Sequence, residues 1–312
     1  MTFLGYIKKI ILFLIPVYIY WVAVFIIDPY EFINVSHWID SKTKIAAINR
    51  SDEASPRGNI LWKYIEFNRA PKSHVIFGDS QGRKISVELI REYSGKEYFN
   101  FCIPGASYET IIQNFWHAAG KTKLEKVYFQ VGFMNYNACR SYSINHFAED
   151  YFKRPFLYFT NREIAFDSYY NLIARITGDI DIVDNKYNKL PYPQLDSLSK
   201  NYLNMFFNDY RYPIKIKNEL GKIADYCATN NIELSFIILP NYRHVHDYLT
   251  AKGLAERELL FKTDLSVLGK VYDFDTDVPE NHVRENFIDY FHPRENLLDR
   301  CIEKIWKQEL AY

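Results

Sequence analysis

From residue 72 onward, short apolar runs alternate with stretches of helical spacing. Val75, Ile76 and Phe77 open the pattern; they are β-branched or aromatic, and the run stops abruptly at Gly78-Asp79-Ser80. Apolar Ile85, Val87, Leu89 and Ile90 then predict a helix over Arg83–Tyr93. The same alternation predicts strands at Tyr98–Cys102, Lys126–Val131, Glu233–Leu239 and Val271–Phe274. Helices are expected at Tyr108–Ala119, capped by Ser107, and at Pro213–Thr229, Glu256–Leu268 and Pro293–Lys307. Strands alternating with helices imply a mostly parallel α/β sheet with helices on both faces.

Two regions break this rhythm. Ile10 to Ile27 is an uncharged run of 18 residues, preceded by Lys8 and Lys9 and closed by Asp28-Pro29. About 20 apolar residues span a bilayer, so this run is expected to be one transmembrane helix. Tyr6 and Tyr30 flank it as interfacial anchors, and no small-residue cleavage site follows. Lys8 and Lys9 place the N-terminus in the cytoplasm and the globular part outside the cell membrane. Residues 29–71 then read as a tether, with a polar, turn-rich break at Ser51–Gly58. Residues 136–212 are rich in Tyr, Phe and Asn without clean periodicity. They emerge at the edge where strand carboxyl ends collect, either as a lid or acceptor-binding element or as an ordinary helical insertion. The expected organisation is an anchor over 1–28, a tether over 29–71 and one α/β domain over 72–312.

Composition changes this picture little. Lys+Arg and Asp+Glu both number 38, which argues against a nucleic-acid surface. Aromatics reach 17%, enough for a carbohydrate-facing or membrane-edge surface, although most of these rings are expected in the core. Cys102, Cys139, Cys227 and Cys301 are widely spaced, so zinc-ribbon and thioredoxin readings lack support. One or two disulfides remain open. No phosphate loop or dinucleotide fingerprint occurs, and no cofactor is expected.

Candidate chemistry gathers at strand ends. Ser80 sits where a buried strand turns toward a helix, at the carboxyl edge that forms the crevice of an open α/β sheet. Free N–H groups at a helix start could face a developing oxyanion there. Near the C-terminus stands Asp289-Tyr290-Phe291-His292, just before the last helix. Asp and His three residues apart can both face a serine, the histidine taking its proton and the aspartate orienting the imidazole. Asn241 and Arg243 follow the fourth strand and are candidate substrate contacts, as against a plain surface loop. His244 and His246 alternate and could share a metal, but no carboxylate cluster is expected to complete a site, and no metal is assigned. His74 lies at the wrong edge and His117 within a helix.

Val75–Gly82 resembles block I of the SGNH (GDSL) hydrolase family, and Asp289-x-x-His292 resembles its block V. The resemblance covers roughly residues 73–310. It implies a three-layer α/β/α, flavodoxin-like domain and a Ser80–His292–Asp289 triad. Gly105, after the second strand, resembles the block II glycine, whose N–H would join that of Ser80 in an oxyanion hole. The family's Gly-x-Asn-Asp block becomes Gly132-Phe133-Met134-Asn135, one residue late and without its aspartate. Asn135 is the expected third donor, with Asn137 behind it. A membrane anchor before such a domain is similar to exported acyltransferase-associated members, such as the D-alanyl-transfer protein and the alginate O-acetylation proteins. That similarity implies an enzyme acting on O-acyl groups of a cell-envelope glycan, beside an integral-membrane O-acyltransferase. A non-catalytic scaffold or glycan-binding partner is the alternative.

Overall fold

The computed structural model describes residues 3–48, 55–180 and 190–307. In chain order, α1 (Phe3–Ile27), α2 (Ser41–Ala46) and α3 (Ser55–Arg69) lead into β1 (His74–Gly78), α4 (Val87–Ser94) and β2 (Tyr98–Cys102). Then come α5 (Tyr108–Ala119), β3 (Lys126–Gln130), α6 (His146–Lys153), α7 (Phe156–Thr160), α8 (Arg162–Thr177) and α9 (Tyr192–Phe207). The chain continues through α10 (Ile214–Thr229), β4 (Glu233–Ile238), α11 (His244–Ala251), α12 (Ala255–Leu268), β5 (Lys270–Asp273) and α13 (Glu295–Ile302).

The five strands form one parallel sheet in the order β2-β1-β3-β4-β5. Alternation of side chains across each strand separates two cores. On one face Ile76, Tyr98 and Tyr128 pack with Ile90 of α4 and Leu298 of α13. Trp306 is fully buried there, its ring 4.8 Å from Tyr128 and 5.8 Å from Tyr98. On the other face Phe77 meets Phe101, Phe115 of α5 and Phe129, with ring centroids 5.4 to 6.0 Å apart. Much of the aromatic excess is therefore core. The three-layer α/β/α expectation holds, and each of the five strands lies within a residue of its expected bounds.

The expected helix over Arg83–Tyr93 is divided. Gly82–Lys84 forms a tight 3-10 turn, and α4 begins only at Val87. Ser86 makes the second start possible, because its Oγ accepts the Leu89 N–H at 3.1 Å. Ser80 thus faces a short turn rather than the N-terminus of a long helix.

By internal contacts the chain forms two compact units, one holding the sheet and the other joining the N-terminal 65 residues to the segment from His146. This corrects two expectations. The described parts of 29–71 are folded rather than a tether: Tyr30, Ile39, Ile48, Leu61 and Tyr64 are all buried. Asp28 organises its start, since its carboxylate accepts the N–H groups of Phe32, Ile33 and Asn34 and the Tyr158 hydroxyl. Asp167 of α8 accepts from the Tyr30 hydroxyl at 2.6 Å and from Arg57 at 3.1 Å. The 136–212 insertion is helical, one of its two expected forms, but it does not belong wholly to the 72–312 domain: α6 to α8 join the N-terminal unit and α9 the sheet unit. Part of the Ser51–Gly58 break lies outside the described residues. The α1 window Tyr6–Ile27 has 22 residues, mean hydropathy 2.8 and only 11% burial, so α1 is long and apolar enough to cross a membrane. All four cysteines are free thiols, Cys139 exposed and the others buried.

The loop after β1 has no spare room. A Cβ on Gly82 would lie 2.6 Å from Cys102 Sγ and 2.8 Å from Gln130 Oε1. Glycine-to-alanine changes in compatible backbone usually stabilise by about 0.4–1 kcal/mol. Here the sign should reverse, with Gly82→Ala destabilising by about 1–3 kcal/mol through overpacking. Denaturant unfolding of the variant measures this; an unchanged or raised stability would contradict the packing described.

Candidate active site

β1 delivers Asp79 and Ser80 to the carboxyl edge of the sheet, and the loop before α13 delivers Asp289 and His292 to the same place. His292 Nε2 lies 2.9 Å from Ser80 Oγ. On its other side, His292 Nδ1 lies 2.8 Å from Asp289 Oδ2. Asp289 is fully buried, and its Oδ1 also accepts the N–H groups of Phe291 and His292. Those two bonds fix the carboxylate, which fixes the ring, which addresses the serine. The three residues expected from the sequence meet in one hydrogen-bonded line.

The electrostatics follow from burial and two carboxylates. Burial by itself lowers the His292 pKa, but the charge and hydrogen bond of Asp289 and the charge of Asp79 outweigh it. The net result lies above the ordinary histidine value, with Arg83 pulling against it. Asp79 is itself raised, because burial disfavours its charge more than the Gln81 N–H, His292 and Asn135 favour it. The Arg83 guanidinium, three residues after Ser80, has no hydrogen-bond or ion-pair partner among the described residues, and crowding by the protein lowers its pKa.

The expected oxyanion donors fare differently. Among the described residues, no protein acceptor takes the N–H of Ser80 or Gly105. Gly105 has φ 78°, and Ala106 N–H bonds back to Ile103 O at 3.1 Å. Pro104-Gly105 is thus also a tight turn that requires left-handed backbone. Asn135 lies beside the site, but its Nδ2 donates to Asp79 Oδ2 at 2.7 Å and its Oδ1 accepts from Arg140 at 3.2 Å. One amide proton is therefore committed to a buried carboxylate that needs donors. Asn137 is tied elsewhere: its Oδ1 accepts from the Cys139 and Arg211 N–H groups, and its Nδ2 donates to Phe206 O.

Beneath the serine runs a polar network that sequence reasoning did not find. Gln130 Oε1 accepts the N–H groups of Asp79 and Gly82, and Gln130 Nε2 donates to Gln81 Oε1. Gln81 Nε2 donates to Phe291 O at 2.7 Å and to Asn241 Oδ1 at 3.1 Å. Asn100 Nδ2 binds the carbonyls of Gly82 and Ile85. The signal available was a lone Gln or Asn inside each of two otherwise apolar strands.

The candidate substrate contacts are placed differently from expectation. Asn241 is spent inside the protein: besides Gln81, its N–H and Nδ2 both donate to Asp275. Arg243 lies 3.5 Å from Asp247 and lines a separate cavity of about 570 Å³ with His246, Glu258 and Asp275. Neither side chain is part of the Ser80–His292 pair. His246, Glu258 and Asp275 offer ligand atoms within 4.8 Å of one another, so carboxylates distant in sequence do surround this histidine. Burial lowers the His246 pKa, yet hydrogen bonds to Asp275 and Glu258 drive it up to about 10. The three groups contact one another directly: His246 Nε2 lies 3.0 Å from Asp275 Oδ1, and its Nδ1 lies 3.6 Å from Glu258 Oε2. The cluster reads as a network of ion pairs.

No protein-family model matches this chain, and no curated protein does. Among solved structures, a protein from Streptococcus pneumonia provisionally described as a platelet activating factor is similar at 14% identity, with a TM-score of 0.40. The match covers 81% of this chain and 91% of that one. At that distance the likeness carries no argument about activity.

Proposed function

We propose that this chain is a membrane-anchored serine esterase or O-acyltransferase. In this reading it acts on O-acyl groups of an extracytoplasmic glycan or cell-envelope polymer. The observation that carries the proposal is the 2.9 Å contact of Ser80 Oγ with a histidine held by a buried aspartate. An unassisted serine hydroxyl is a poor nucleophile at neutral pH, and this arrangement supplies the missing base. A scaffold would have no need of the alignment.

Ser80 Oγ attacks the ester carbonyl as His292 Nε2 takes the hydroxyl proton. Asp289 stabilises the imidazolium without accepting that proton. The free N–H groups of Ser80 and Gly105, with the remaining Asn135 amide proton, are the candidate donors to the oxyanion. Collapse expels the alcohol, which leaves with the proton from His292. Water or a sugar hydroxyl then attacks the acyl-Ser80 ester, again with His292 as base. We favour transfer, because α1 would hold Ser80 close to an integral-membrane donor of acyl groups and raise its effective concentration.

A base must be neutral to act, so activity should rise with pH through the His292 pKa, above the ordinary histidine value. Asp289→Asn removes the charge that raises this pKa. It should shift the acid limb to lower pH and cut the plateau by about 10⁴-fold. Arg83→Met removes an opposing positive charge and should shift the limb to higher pH. Rate profiles on a chromogenic ester read both directions; limbs that stay in place would remove His292 from the role of base.

Transfer and hydrolysis separate on addition of an acceptor. The full chain in detergent should hydrolyse small esters slowly and form acylated glycan once an acceptor polysaccharide is present. Rapid release of acetate from an acetylated glycan, with no acylated acceptor, would make the chain an esterase. Absence of both activities in the intact chain would favour the non-catalytic partner, and activity unchanged in Ser80→Ala would show that Ser80 is not the nucleophile.

A further inference from the structure

The N-terminal unit exposes an apolar surface that its own core does not use. Phe156, at the start of α7, is 60% exposed, and Ile176 on α8 is 68% exposed. On α8 the buried positions are Ile164, Asp167, Ser168, Asn171 and Ala174. Phe166, Tyr169 and Ile176 recur at helical spacing on the opposite side and are all exposed. The unit therefore has one face for its core and another apolar face turned outward.

α1 indicates what covers that face. Trp21 lies six residues before the end of α1 at Ile27, or about 9 Å along the axis at 1.5 Å per residue. The Phe156 ring packs edge-on against Trp21 with centroids 5.6 Å apart. Trp21, Val22 and Phe25 of α1 share an apolar cavity of about 270 Å³ with Phe156 and Phe159 of α7. α7 is thus held alongside the membrane-length run, below the point at which that run ends. Arg154 and Arg162 bracket α7, and Arg162 lies over the Phe166 ring. Arginine at such a position can lay its stem on apolar surface and keep its charge in the headgroups.

We propose that α7 and the outer face of α8 are seated in the headgroup–acyl boundary of the bilayer that α1 crosses. Together they form a membrane-embedded foot, and the occupant of the exposed face is lipid. The inference rests on the reading of α1 as a membrane span. It gives the first half of the 136–212 insertion a membrane role in place of a substrate-covering one. The Tyr169 ring, with an apolar body and a polar hydroxyl, suits that boundary, and Phe156 and Phe159 suit its acyl side.

Depth-dependent quenching tests the proposal on the full chain in phosphatidylcholine vesicles. Single cysteines replace Phe13, Phe156, Ile176 or Lys222 in a Cys139→Ser background, and each carries an environment-sensitive fluorophore. Lys222, exposed on α10, reports water. Quenching of the Phe13 label by a deeply placed nitroxide lipid establishes the span. The labels at Phe156 and Ile176 should then be quenched by a shallow nitroxide lipid and protected from aqueous iodide several-fold relative to Lys222. Iodide quenching of both at the Lys222 level, with Phe13 still in lipid, overturns the foot and leaves the span intact; it would mean that a protein partner or water covers the face. Phe13 in water would overturn the span and the foot together. The Ile176 label keeps the test valid where a label at Phe156 disturbs the Trp21 contact.

Discussion

The proposed chemistry depends on one hydrogen bond, between His292 Nε2 and Ser80 Oγ, residues 212 positions apart in sequence. Neither residue can set that distance by itself. Ser80 is fixed by the end of β1, between β2 and β3 in a parallel sheet, and His292 by the loop ahead of α13. The sheet supplies a rigid edge, and α13 and Trp306 anchor the C-terminal loop on the same core that holds β1 and β2. An error of about 1 Å at such a contact can cost about 10²-fold in rate. Precision here is therefore a property of the packing between first strand and last helix.

The buried amide network converts that packing into a defined position. Gln130 grips the backbone on both sides of Ser80, and Gln81 reaches across to the Phe291 carbonyl, next to His292. Each of these buried groups would cost about 1–3 kcal/mol if left without a partner, so the network favours one arrangement over looser ones. Gly78 and Gly82 exist in the service of the same contact: a Cβ at either would strike Gln130 and Cys102. Asp79 adds a second carboxylate near His292 and draws Asn135 toward itself. The residue expected to stabilise an oxyanion thus spends half of its amide on a buried charge.

The strands, the serine and the Asp289–His292 pair were legible because each is written locally, as an apolar run with a sharp stop or as a three-residue spacing. What failed to show was written across the chain. A single Gln in β3 or Asn in β2 announces that it needs a partner but not which one, and Gln81 finds Asn241 160 residues away. The 29–71 stretch looks like a tether because turn residues and charges dominate it. Its order comes from Asp28, Tyr30 and Arg57, whose partners Tyr158 and Asp167 lie more than 100 positions on. The insertion was open between a lid and packed helices for the same reason: without periodicity, nothing in its sequence says that α8 packs one polar-rich face on that N-terminal segment. Asn241 and Arg243 were chosen for standing after a strand, and the side chains turned instead to Asp275 and Asp247.

The central claim is that Ser80 becomes acylated with His292 as its base. Mass spectrometry of the protein quenched during turnover of an activated acyl ester tests it most directly. The expected result is one added acyl group on the peptide that contains Ser80, absent in Ser80→Ala and greatly slowed in His292→Ala. An adduct on another residue, or acylation of Ser80 at an unchanged rate without His292, would contradict the account.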